Sequence, residues 1–480
     1  MPPTPTYDDV VAENASLRQQ NTALQAQVEA LRSDVAVLKR LIGRDSSNSS
    51  MPPSGDTPAS RRKAAKDRKQ RATPSQRKPG KQAGTDGNHL ARTADPDVVV
   101  DHEPDWCQGC GSGLHDAADA GVVVRQVFDI PIPVPVVTEH RAHRRRCGCG
   151  ATTTAPFPDG VTAPAVYGPR VRAAALYLMA RQHVPFERCA EAVGDLFALN
   201  VSTGWLDGLY TEAAGRLDPF LVEVADRLRD AGVIGVDETS DRVGLGTCWF
   251  HVARTDLLTL LHASNTRGQT AVTDAGILPG YEGTIIHDRL AMYWNYTDAG
   301  HGLCNAHLLR NLADVGVVWN QTWATAMADL LRETKKLVDT ARDQGRTQLT
   351  RAQTRDLNNR YRAIVADGHT TTIKPEHRER NPIERDAHNL VKAFDTYQTE
   401  ILAFTTDFTI PFDNNGAERD LRMVKLHRKI SGCFRSLHGA ERLAAVRSYI
   451  STTQKHGHDT LDALTALFNG QPWIPPPTGT

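Results

Sequence analysis

Apolar residues recur at heptad spacing near the start of the chain. One core position of the heptads holds Val10, Leu17, Leu24, Leu31 and Leu38, and the other holds Asn14, Asn21, Val28, Val35 and Ile42. Leucine at one position with Val or Ile at the other favours parallel pairing of two helices, while a buried Asn fixes their register. The pattern predicts a self-associating coiled coil over residues 1–45. An amphipathic helix docked on the chain's own body is the alternative.

The heptads end in a stretch of Ser, Pro and Gly that contains no core-forming residues and then becomes strongly basic. Between residues 61 and 81 there are ten Lys or Arg and a single acid. We expect residues 46–95 to form a disordered basic linker. Its Arg61, Arg62 and Lys63 would neutralise DNA phosphates, although a solvated tail has the same composition.

Two short cysteine pairs follow, Cys107-x2-Cys110 and Cys147-x-Cys149, and glycines lie within and after each pair. Tight turns of this kind present two thiolates to one ion, and four thiolates close a tetrahedral zinc site. We therefore expect a zinc-ribbon-like module over residues 96–158, with structural Zn²⁺ on the four cysteines.

The segment between the cysteine pairs is rich in Val and Ile and predicts strands interrupted by proline. The module would present Arg144, Arg145 and Arg146 to DNA. A zinc site in which His115 or His143 replaces one thiol is the main variant.

Ala-rich periodic runs predict a helical domain over residues 159–228. A break near Asn200 separates two of its helices, and Ser202 is placed to cap the second one. This shape is compatible with a DNA-binding helix-turn-helix. Packing within a helical bundle explains the same pattern equally well.

The pattern changes to short apolar runs after Gly232. VIGVDETSDRV, GTCWFHVAR and DLLTLLHAS predict three antiparallel strands, GQTAVTDAGIL a helix and GTIIHDRL a fourth strand, with helix-forming residues from Gly302 onward. This order matches the first half of an RNase H-like fold. We expect a multidomain α+β protein in which residues 229–440 form an RNase H-like mixed sheet with helices.

Two carboxylates lie within or at the end of these strands. Asp237 follows VIGV, and Asp288 ends TIIH. Two buried carboxylates on neighbouring strands repel each other, and a divalent cation relieves the repulsion. We predict that they bind two Mg²⁺ (or Mn²⁺) ions, which can activate a water or a 3′-hydroxyl for phosphodiester displacement. Turn capping, or pairing with Arg242 or Arg289, is the alternative.

A third carboxylate, Glu418, lies at the start of a predicted helix in DNNGAERDLR. At about 100° per residue, Ala417, Leu421 and Val424 form an apolar stripe that can seat this helix on the sheet. The predicted phosphate-binding residues around Glu418 are Arg419, Arg422, Lys425, Arg428, Lys429 and Arg435. An exposed helix in which Glu418 pairs with Arg422 at i,i+4 is the alternative.

The composition is ordinary for a soluble protein: 480 residues, 40% hydrophobic and 23% charged, with 56 basic residues balanced by 56 acidic. The N terminus has neither a basic nor an apolar signal region, and no apolar run approaches a membrane span. Eight cysteines are too few for a disulfide scaffold. We therefore expect a cytoplasmic, nucleoid-associated protein with no membrane partner.

Four blocks, VIGVDETSDRV, TIIHDRLAMYW, CNAHLLRNL and DNNGAERDLRMVKLHRKISGCFRS, resemble in this order the insertion sequence 66 family of DDE transposases. The resemblance implies a DNA transposase whose catalytic triad is Asp237, Asp288 and Glu418. The long interval between the second and third acids predicts a helical insertion at about residues 320–405. Residues 441–480 would form a C-terminal helical segment.

The resemblance also implies partners. These are double-stranded DNA, as the inverted-repeat ends of the element and as target, and possible accessory proteins of the same element. The coiled coil would make the protein a homodimer or higher oligomer. Gly416 and Met423 depart from the family pattern. Cys304 and His307 are either a secondary metal or phosphate contact or a packed pair on a helix.

Two other classes of protein are compatible with parts of the pattern. One is a catalytically inactive or domesticated zinc-containing DNA-binding regulator, which would be expected to have lost a triad carboxylate. The other is an RNase H-like nuclease that acts without strand transfer, which the long accessory N-terminal part disfavours.

Overall fold

The structure, a computed structural model, describes residues 13–14, 16–28, 31–32, 35, 90–318, 321–372 and 382–476. The chain divides into two compact units, a smaller one of residues 66–136 and a larger one of residues 1–65 and 137–480. None of the described helices combines the length and the apolar character that crossing a lipid bilayer requires. The predicted phosphate-binding residues Arg61, Arg62 and Lys63 lie outside the described residues.

The described residues between 13 and 35 are helical. Their side chains at the heptad core positions are 47–62% exposed: Leu17, Leu24, Val28, Leu31 and Val35. A single strand of a coiled coil leaves its seam open in this way, and pairing of two chains through the seam stays a prediction.

The smaller unit has little regular secondary structure. Among its described residues, 90–136, the only strand pairing is an isolated bridge. The prediction of strands in this part of the Val- and Ile-rich segment is therefore wrong. The prolines at 131, 133 and 135 remove the backbone N–H from every second residue, so that one edge of the segment cannot donate to a neighbouring strand.

A short hairpin, β1 (Arg144–Arg146) and β2 (Thr152–Thr154), lies near the start of the larger unit. The turn between its strands carries Cys147 and Cys149. All three arginines of β1 are exposed, as predicted.

Four helices follow the hairpin: α1 (Pro169–Leu176), α2 (Phe186–Phe197), α3 (Thr203–Arg216) and α4 (Asp218–Asp230), with a π-helical turn at Tyr177–Arg181. The predicted break falls between α2 and α3, and Ser202 caps α3 by accepting a hydrogen bond from the Trp205 N–H. The apolar faces of these helices belong to a core that continues into the sheet and the last helices of the chain. The helices are thus confirmed, while DNA binding by a helix-turn-helix stays a prediction.

A mixed sheet of five strands lies at the centre of the larger unit: β3 (Val233–Val243), β4 (Gly246–Arg254), β5 (Thr259–Ser264), β6 (Thr284–His287) and β7 (Gly300–Leu303). The strands lie side by side in the order β5-β4-β3-β6-β7. The meander β3-β4-β5 is antiparallel, and β6 and β7 run parallel to β3. A short helix, α5 (Gln269–Asp274), connects β5 to β6, so this part of the prediction is confirmed.

The sequence pattern does not predict β7, because GHGL contains no β-branched residue and no alternation. Close pairing with β6 depends on its glycines, since a Cβ atom on Gly302 would lie 2.6 Å from Cδ1 of Ile286. The next helix, α6 (Asn305–Ala313), consequently begins later than the predicted start at Gly302.

The predicted insertion is helical, with α7 (Thr322–Asp343), α8 (Arg351–Thr371), α9 (Pro382–Thr396), α10 (Gln398–Ile401) and α11 (Ala403–Thr406). It has a core of its own, in which Trp323, Tyr361 and Phe394 are fully buried. Ile286 of β6 and Leu303 of β7 belong to the same core. The insertion therefore packs on the β6–β7 side of the sheet.

The last three helices are α12 (Asn415–Ser431), α13 (Leu437–Lys455) and α14 (Thr460–Phe468). The predicted apolar stripe of α12 is confirmed, because Ala417, Leu421 and Val424 are buried.

Asp420 ties α12 to β5 and α13. Its carboxylate accepts hydrogen bonds from Thr259 Oγ1 and Ser451 Oγ, both at 3.0 Å, and from Lys455 Nζ at 3.3 Å. Arg254 Nε, at the end of β4, lies 3.5 Å from the same carboxylate. One acid thus neutralises two partly buried cations at the junction of four elements.

Asp420→Ala is expected to lower the free energy of unfolding by about 2–4 kcal/mol, because Lys455 and Arg254 would lose a counter-charge in a partly buried place. Denaturant unfolding measures the effect. Asp256→Ala is the matched control, since Asp256 also contacts Arg254, at 3.3 Å, but its side chain is fully exposed. Equal losses in the two variants would contradict the anchoring role of Asp420.

Candidate active site

Asp237 and Asp288 occupy matching positions on two neighbouring parallel strands. β3 pairs with β6 so that Gly235 lies opposite Ile286. Asp237 lies two residues after Gly235, and Asp288 lies two residues after Ile286. The register therefore carries both acids to the same edge of the sheet, as the sequence predicted for two acids that share a site.

Both acids also have local hydrogen bonds. Asp237 Oδ1 accepts from the N–H of Glu238, and Asp288 Oδ1 accepts from the N–H of Leu290, both at 2.9 Å. Asp288 therefore caps a turn, as the alternative interpretation required. Burial lowers the pKa of the adjacent Arg289 guanidinium, and the charge of Asp288 opposes that shift.

Asn414 joins the start of α12 to both acid-bearing strands. Its Nδ2 donates to the carbonyl oxygens of Val236, at 2.8 Å, and Ile286, at 3.3 Å. Its backbone N–H donates to Sγ of Cys304 at 3.1 Å, and burial raises the pKa of that thiol to about 12. A buried amide thus fixes the entry of α12 next to Asp237, and Cys304 acts there as a packed, protonated residue.

Glu418 is held by α6. Arg310 donates two hydrogen bonds to its carboxylate, from Nη1 to Oε1 at 2.8 Å and from Nη2 to Oε2 at 3.1 Å. His307 Nε2 lies 3.4 Å from Oε1. The ion-pair partners of Glu418 therefore come from another helix, not from Arg422 one turn further along α12.

The three acids influence one another electrostatically. The pKa of Asp237 is raised to about 8, first by burial and then by the charges of Glu238, Asp288 and Glu418. Burial also acts to raise the pKa of Glu418, but the hydrogen bond and charge of Arg310 outweigh it, and the pKa lies below its ordinary value. Asp237 therefore lacks the compensation that Arg310 gives to Glu418.

Lys425 contributes positive charge close to this acid. Burial lowers the pKa of its ammonium group, and the charge of Asp237 is the largest influence in the opposite direction. Lys425 is half-buried, so it differs from the exposed cations around it on α12.

The donor set fits a divalent cation, because Asp237 is buried among acids and carboxylate oxygens are the ligands that Mg²⁺ and Mn²⁺ prefer. Within the described ranges, no three His, Cys, Asp or Glu side chains stand close enough together to hold a metal ion as they lie. Glu418 is turned towards Arg310 instead. Asp237, Asp288 and Glu418 stay the predicted metal ligands.

Glu238 is a further buried acid of the site, which the sequence analysis missed. Its carboxylate accepts hydrogen bonds from Arg267 Nη2 at 2.7 Å and from the Tyr293 hydroxyl at 2.8 Å. Two features of the sequence could have indicated this contact: a second acid directly after Asp237 in VIGVDETSDRV and a tyrosine in TIIHDRLAMYW. Glu238 links β3 to the turn that follows Asp288.

Close packing explains Gly416. A Cβ atom at this position would lie 2.1 Å from Nη1 and 2.4 Å from Cζ of Arg254. Arg254 is itself held between Asp420 and Asp256. A larger residue would push the guanidinium away from Asp420, so glycine allows α12 to approach the end of β4.

Most of the predicted DNA-binding cations at α12 are exposed. The exposed set is Arg419, Arg422, Arg428, Lys429 and Arg435. Arg428 Nε lies 3.8 Å from the buried carboxylate of Asp241. The exposed face of α12 is therefore basic, while its acids point towards the protein.

Cys107 and Cys110 lie in a tight turn of the smaller unit. The N–H of Cys107 donates to the carbonyl oxygen of Ser112 at 2.8 Å, and the N–H of Gly111 donates to that of Cys107 at 2.9 Å. Hydrogen bonds from the side chain and backbone of Ser112 lower the pKa of the Cys110 thiol.

Cys147 and Cys149 lie in a turn of the same kind between β1 and β2. The N–H of Cys147 donates to the carbonyl oxygen of Ala151 at 2.8 Å, and the N–H of Gly150 donates to that of Cys147 at 2.9 Å. Hydrogen bonds from Cys149 lower the pKa of the Cys147 thiol. A lowered pKa favours the thiolate, which is the form that binds zinc, and the four cysteines stay the predicted zinc ligands.

Comparisons with known protein families agree with this arrangement. Residues 164–442 match the IS66 transposase family, and residues 104–150 match the zinc-finger binding domain of transposase IS66. Residues 2–91 match a family of unknown function. Comparison with curated proteins gives no match.

These matches define the protein as a transposase with a zinc-finger domain, the class of protein that acts on DNA. The first match covers more than half of the 480 residues and includes all three candidate acids, and the second includes all four candidate zinc ligands. The chain belongs to the IS66 family of transposases.

Asp237→Asn is expected to stabilise the metal-free protein near pH 8. The pKa of this carboxyl rises from 3.8 to about 8 on folding, so the folded state holds the proton more tightly. Its contribution to stability is full below the lower value and is lost as the pH rises to about 8, by about 1.4 kcal/mol per unit of pKa difference at most.

Thermal unfolding in EDTA at pH 5 and pH 8 measures this dependence. Between pH 5 and pH 8 the parent protein should lose stability relative to Asp237→Asn, because the other titrating groups contribute equally in the two proteins. Asp298→Asn, at an exposed acid, is the control and should behave as the parent does. A stability difference between the parent and Asp237→Asn that is the same at both pH values would contradict the weakly compensated state of Asp237.

Proposed function

We propose that the protein cuts and joins DNA through a triad of carboxylates, Asp237, Asp288 and Glu418, with two Mg²⁺ or Mn²⁺ ions. The observation that carries this proposal is the in-register pairing of β3 with β6, below the helix that bears Glu418. The strand order supports an RNase H-like fold, since an antiparallel meander is extended by two parallel strands on the far side of β3.

When bound, the two ions would activate the attacking water or 3′-hydroxyl and stabilise the leaving oxygen of the phosphodiester. The protein's own residues prepare this site. Asn414 holds α12 against both strands, and Arg310 keeps Glu418 ionised. Lys425 supplies positive charge next to Asp237, where a DNA phosphate would lie. No covalent intermediate between enzyme and DNA is required.

In this proposal the exposed cations bind the phosphates of DNA. Those of α12 would hold phosphates near the site, and Arg144, Arg145 and Arg146 would act with the zinc module in binding the inverted-repeat ends. The coiled coil of residues 1–45 would pair subunits, because joining requires two ends in one complex. The helices of residues 159–228 and accessory proteins of the element would assist end binding.

Two other functions are alternatives to this proposal. A regulator that binds DNA without cutting it is favoured by the Arg310–Glu418 ion pair, which occupies the third carboxylate. A nuclease without strand transfer would use the same three acids. The products formed from labelled element ends distinguish the three functions.

Glu418→Gln is expected to reduce Mg²⁺-dependent cleavage and joining of labelled element ends by about 10³-fold or more, because the amide cannot replace the ionised ligand. Binding of the same DNA in EDTA should persist. Glu441→Gln, at an exposed acid on α13, is the control and should remain active. Cleavage and joining by Glu418→Gln at the parent's rate would reject the triad.

The zinc site makes a separate prediction. The parent protein should contain about one zinc ion per chain, and both Cys107→Ser and Cys147→Ser should lose it, because each removes one of four ligands. Elemental analysis of the purified proteins measures this. Cys433→Ser, at an exposed cysteine just after α12, is the matched control. Unchanged zinc in both ligand variants would reject the four-cysteine site.

A further inference from the structure

The helical insertion carries a cleft lined by arginines, separate from the three acids. The cleft has a volume of about 900 Å³ and lies between the loop of residues 345–350 and α8. Its arginines are Arg346, Arg351, Arg355 and Arg362. Threonine and asparagine side chains complete the lining, and none of the lining residues is acidic.

Three of these arginines form one stripe along α8. At about 100° per residue, Arg351, Arg355 and Arg362 project within about 40° of one another, and all three are exposed. Among the described residues, the arginine ion pairs of α8 belong to Arg360, which lies on the opposite side and contacts Glu333 at 2.6 Å. The helix thus neutralises Arg360, while among the described residues no ion pair neutralises the three arginines of the stripe.

The fourth arginine is held in place by the protein. Arg346 Nη2 donates to the carbonyl oxygen of Gln348 at 3.0 Å and to Oε1 of Gln353 at 2.9 Å. The same Gln353 completes the capping box of α8 with Thr350. The wall of the cleft opposite the stripe is therefore preformed.

Backbone hydrogen bonds connect the cleft to the segment that leads to the acids. The N–H of Leu349 donates to the carbonyl oxygen of Thr405 at 3.0 Å, and the N–H of Phe408 donates to that of Thr347 at 2.9 Å. From Phe408 the chain continues into Asn414, which fixes the start of α12. The cleft and the helix that bears Glu418 are thus attached to the same short segment.

The chemistry of the cleft selects an extended polyanion. Guanidinium groups bind phosphate oxygens through paired hydrogen bonds, and amide and hydroxyl side chains add neutral donors. The stripe from Arg351 to Arg362 spans about 16 Å of helix at 1.5 Å per residue. That is about five base pairs of DNA at 3.4 Å per step, which is longer than a single small anion needs.

We propose that this cleft is a second binding site for the DNA backbone, which holds duplex phosphates outside the catalytic site without reading their sequence. The inference rests on the proposed function, because an enzyme that joins DNA must hold the duplex that continues beyond the reacting phosphate. Arg351, Arg355 and Arg362 are its phosphate ligands, and Arg346 forms the fixed wall.

The salt dependence of binding tests the proposal. The full-length triple variant Arg351→Ala, Arg355→Ala and Arg362→Ala should lower the slope of log affinity against log salt by about 3. The change should be the same for an element-end duplex and an unrelated duplex. Arg360→Gln, on the far side of α8, is the matched control and should keep the parent's slope. An unchanged slope in the triple variant would overturn the proposal.

Chemical modification tests the same site without altering the cleft. Duplex DNA should protect the three arginines of the stripe from phenylglyoxal in the otherwise unaltered Glu418→Gln protein, as measured by mass spectrometry of peptides. Poly-glutamate is the competing ligand. Protection by poly-glutamate and not by the duplex would overturn the proposal in favour of an acidic protein partner.

The two experiments keep this inference distinct from the proposed function. Protection of the stripe by DNA, together with full activity of Glu418→Gln, would reject the triad and support the cleft. Cleavage that depends on Glu418, without protection of the stripe, would support the triad and reject the cleft.

Discussion

Negative charge in the middle of β3, on Asp237 and Glu238, is the constraint around which the rest of the larger unit is arranged. A buried carboxylate is costly unless hydrogen bonds or a counter-charge compensate it. Glu238 has Arg267 and Tyr293, and Glu418 has Arg310. Among the described residues, Asp237 accepts a hydrogen bond only from the N–H of its neighbour, and its pKa rises to about 8. The protein thus compensates Glu238 and Glu418 with cations and leaves Asp237 in need of one.

The two faces of α12 have different roles at this site. Its inner face anchors it, through the buried stripe, Gly416 against Arg254, and Asp420 against Lys455. Its outer face is basic. Glu418 lies between these two faces, in the first turn of α12, next to Asn414, which binds the helix start to β3. Substitutions on the inner face will therefore alter both stability and the position of the carboxylate, while those on the outer face leave these anchoring contacts intact.

Local patterns were sufficient for much of the fold and for the three candidate acids. Short apolar runs predicted β3, β4 and β5, and helical spacing predicted the buried stripe of α12. Contacts between distant segments could not be predicted in this way, because neither the pairing of Arg310 with Glu418 nor the closeness of Gly416 to Arg254 leaves a periodic signal. Residue propensities misled the strand prediction in two ways. β7 is a strand although it contains glycines, and the segment with prolines at 131–135 is not a strand although it is rich in Val and Ile.

The zero net charge of the chain does not oppose DNA binding, because acids and bases are distributed differently in depth. Several acids of the larger unit are buried or paired, including Glu238, Asp241 and Asp420. Most cations of α12 are exposed, and so are the three arginines of the stripe on α8. DNA responds to the charge at the surface within about 10 Å at moderate salt, not to the sum over the chain. The charges that stabilise the fold thus leave two basic surfaces open, and these can act on one duplex only if the insertion keeps its position against β6 and β7.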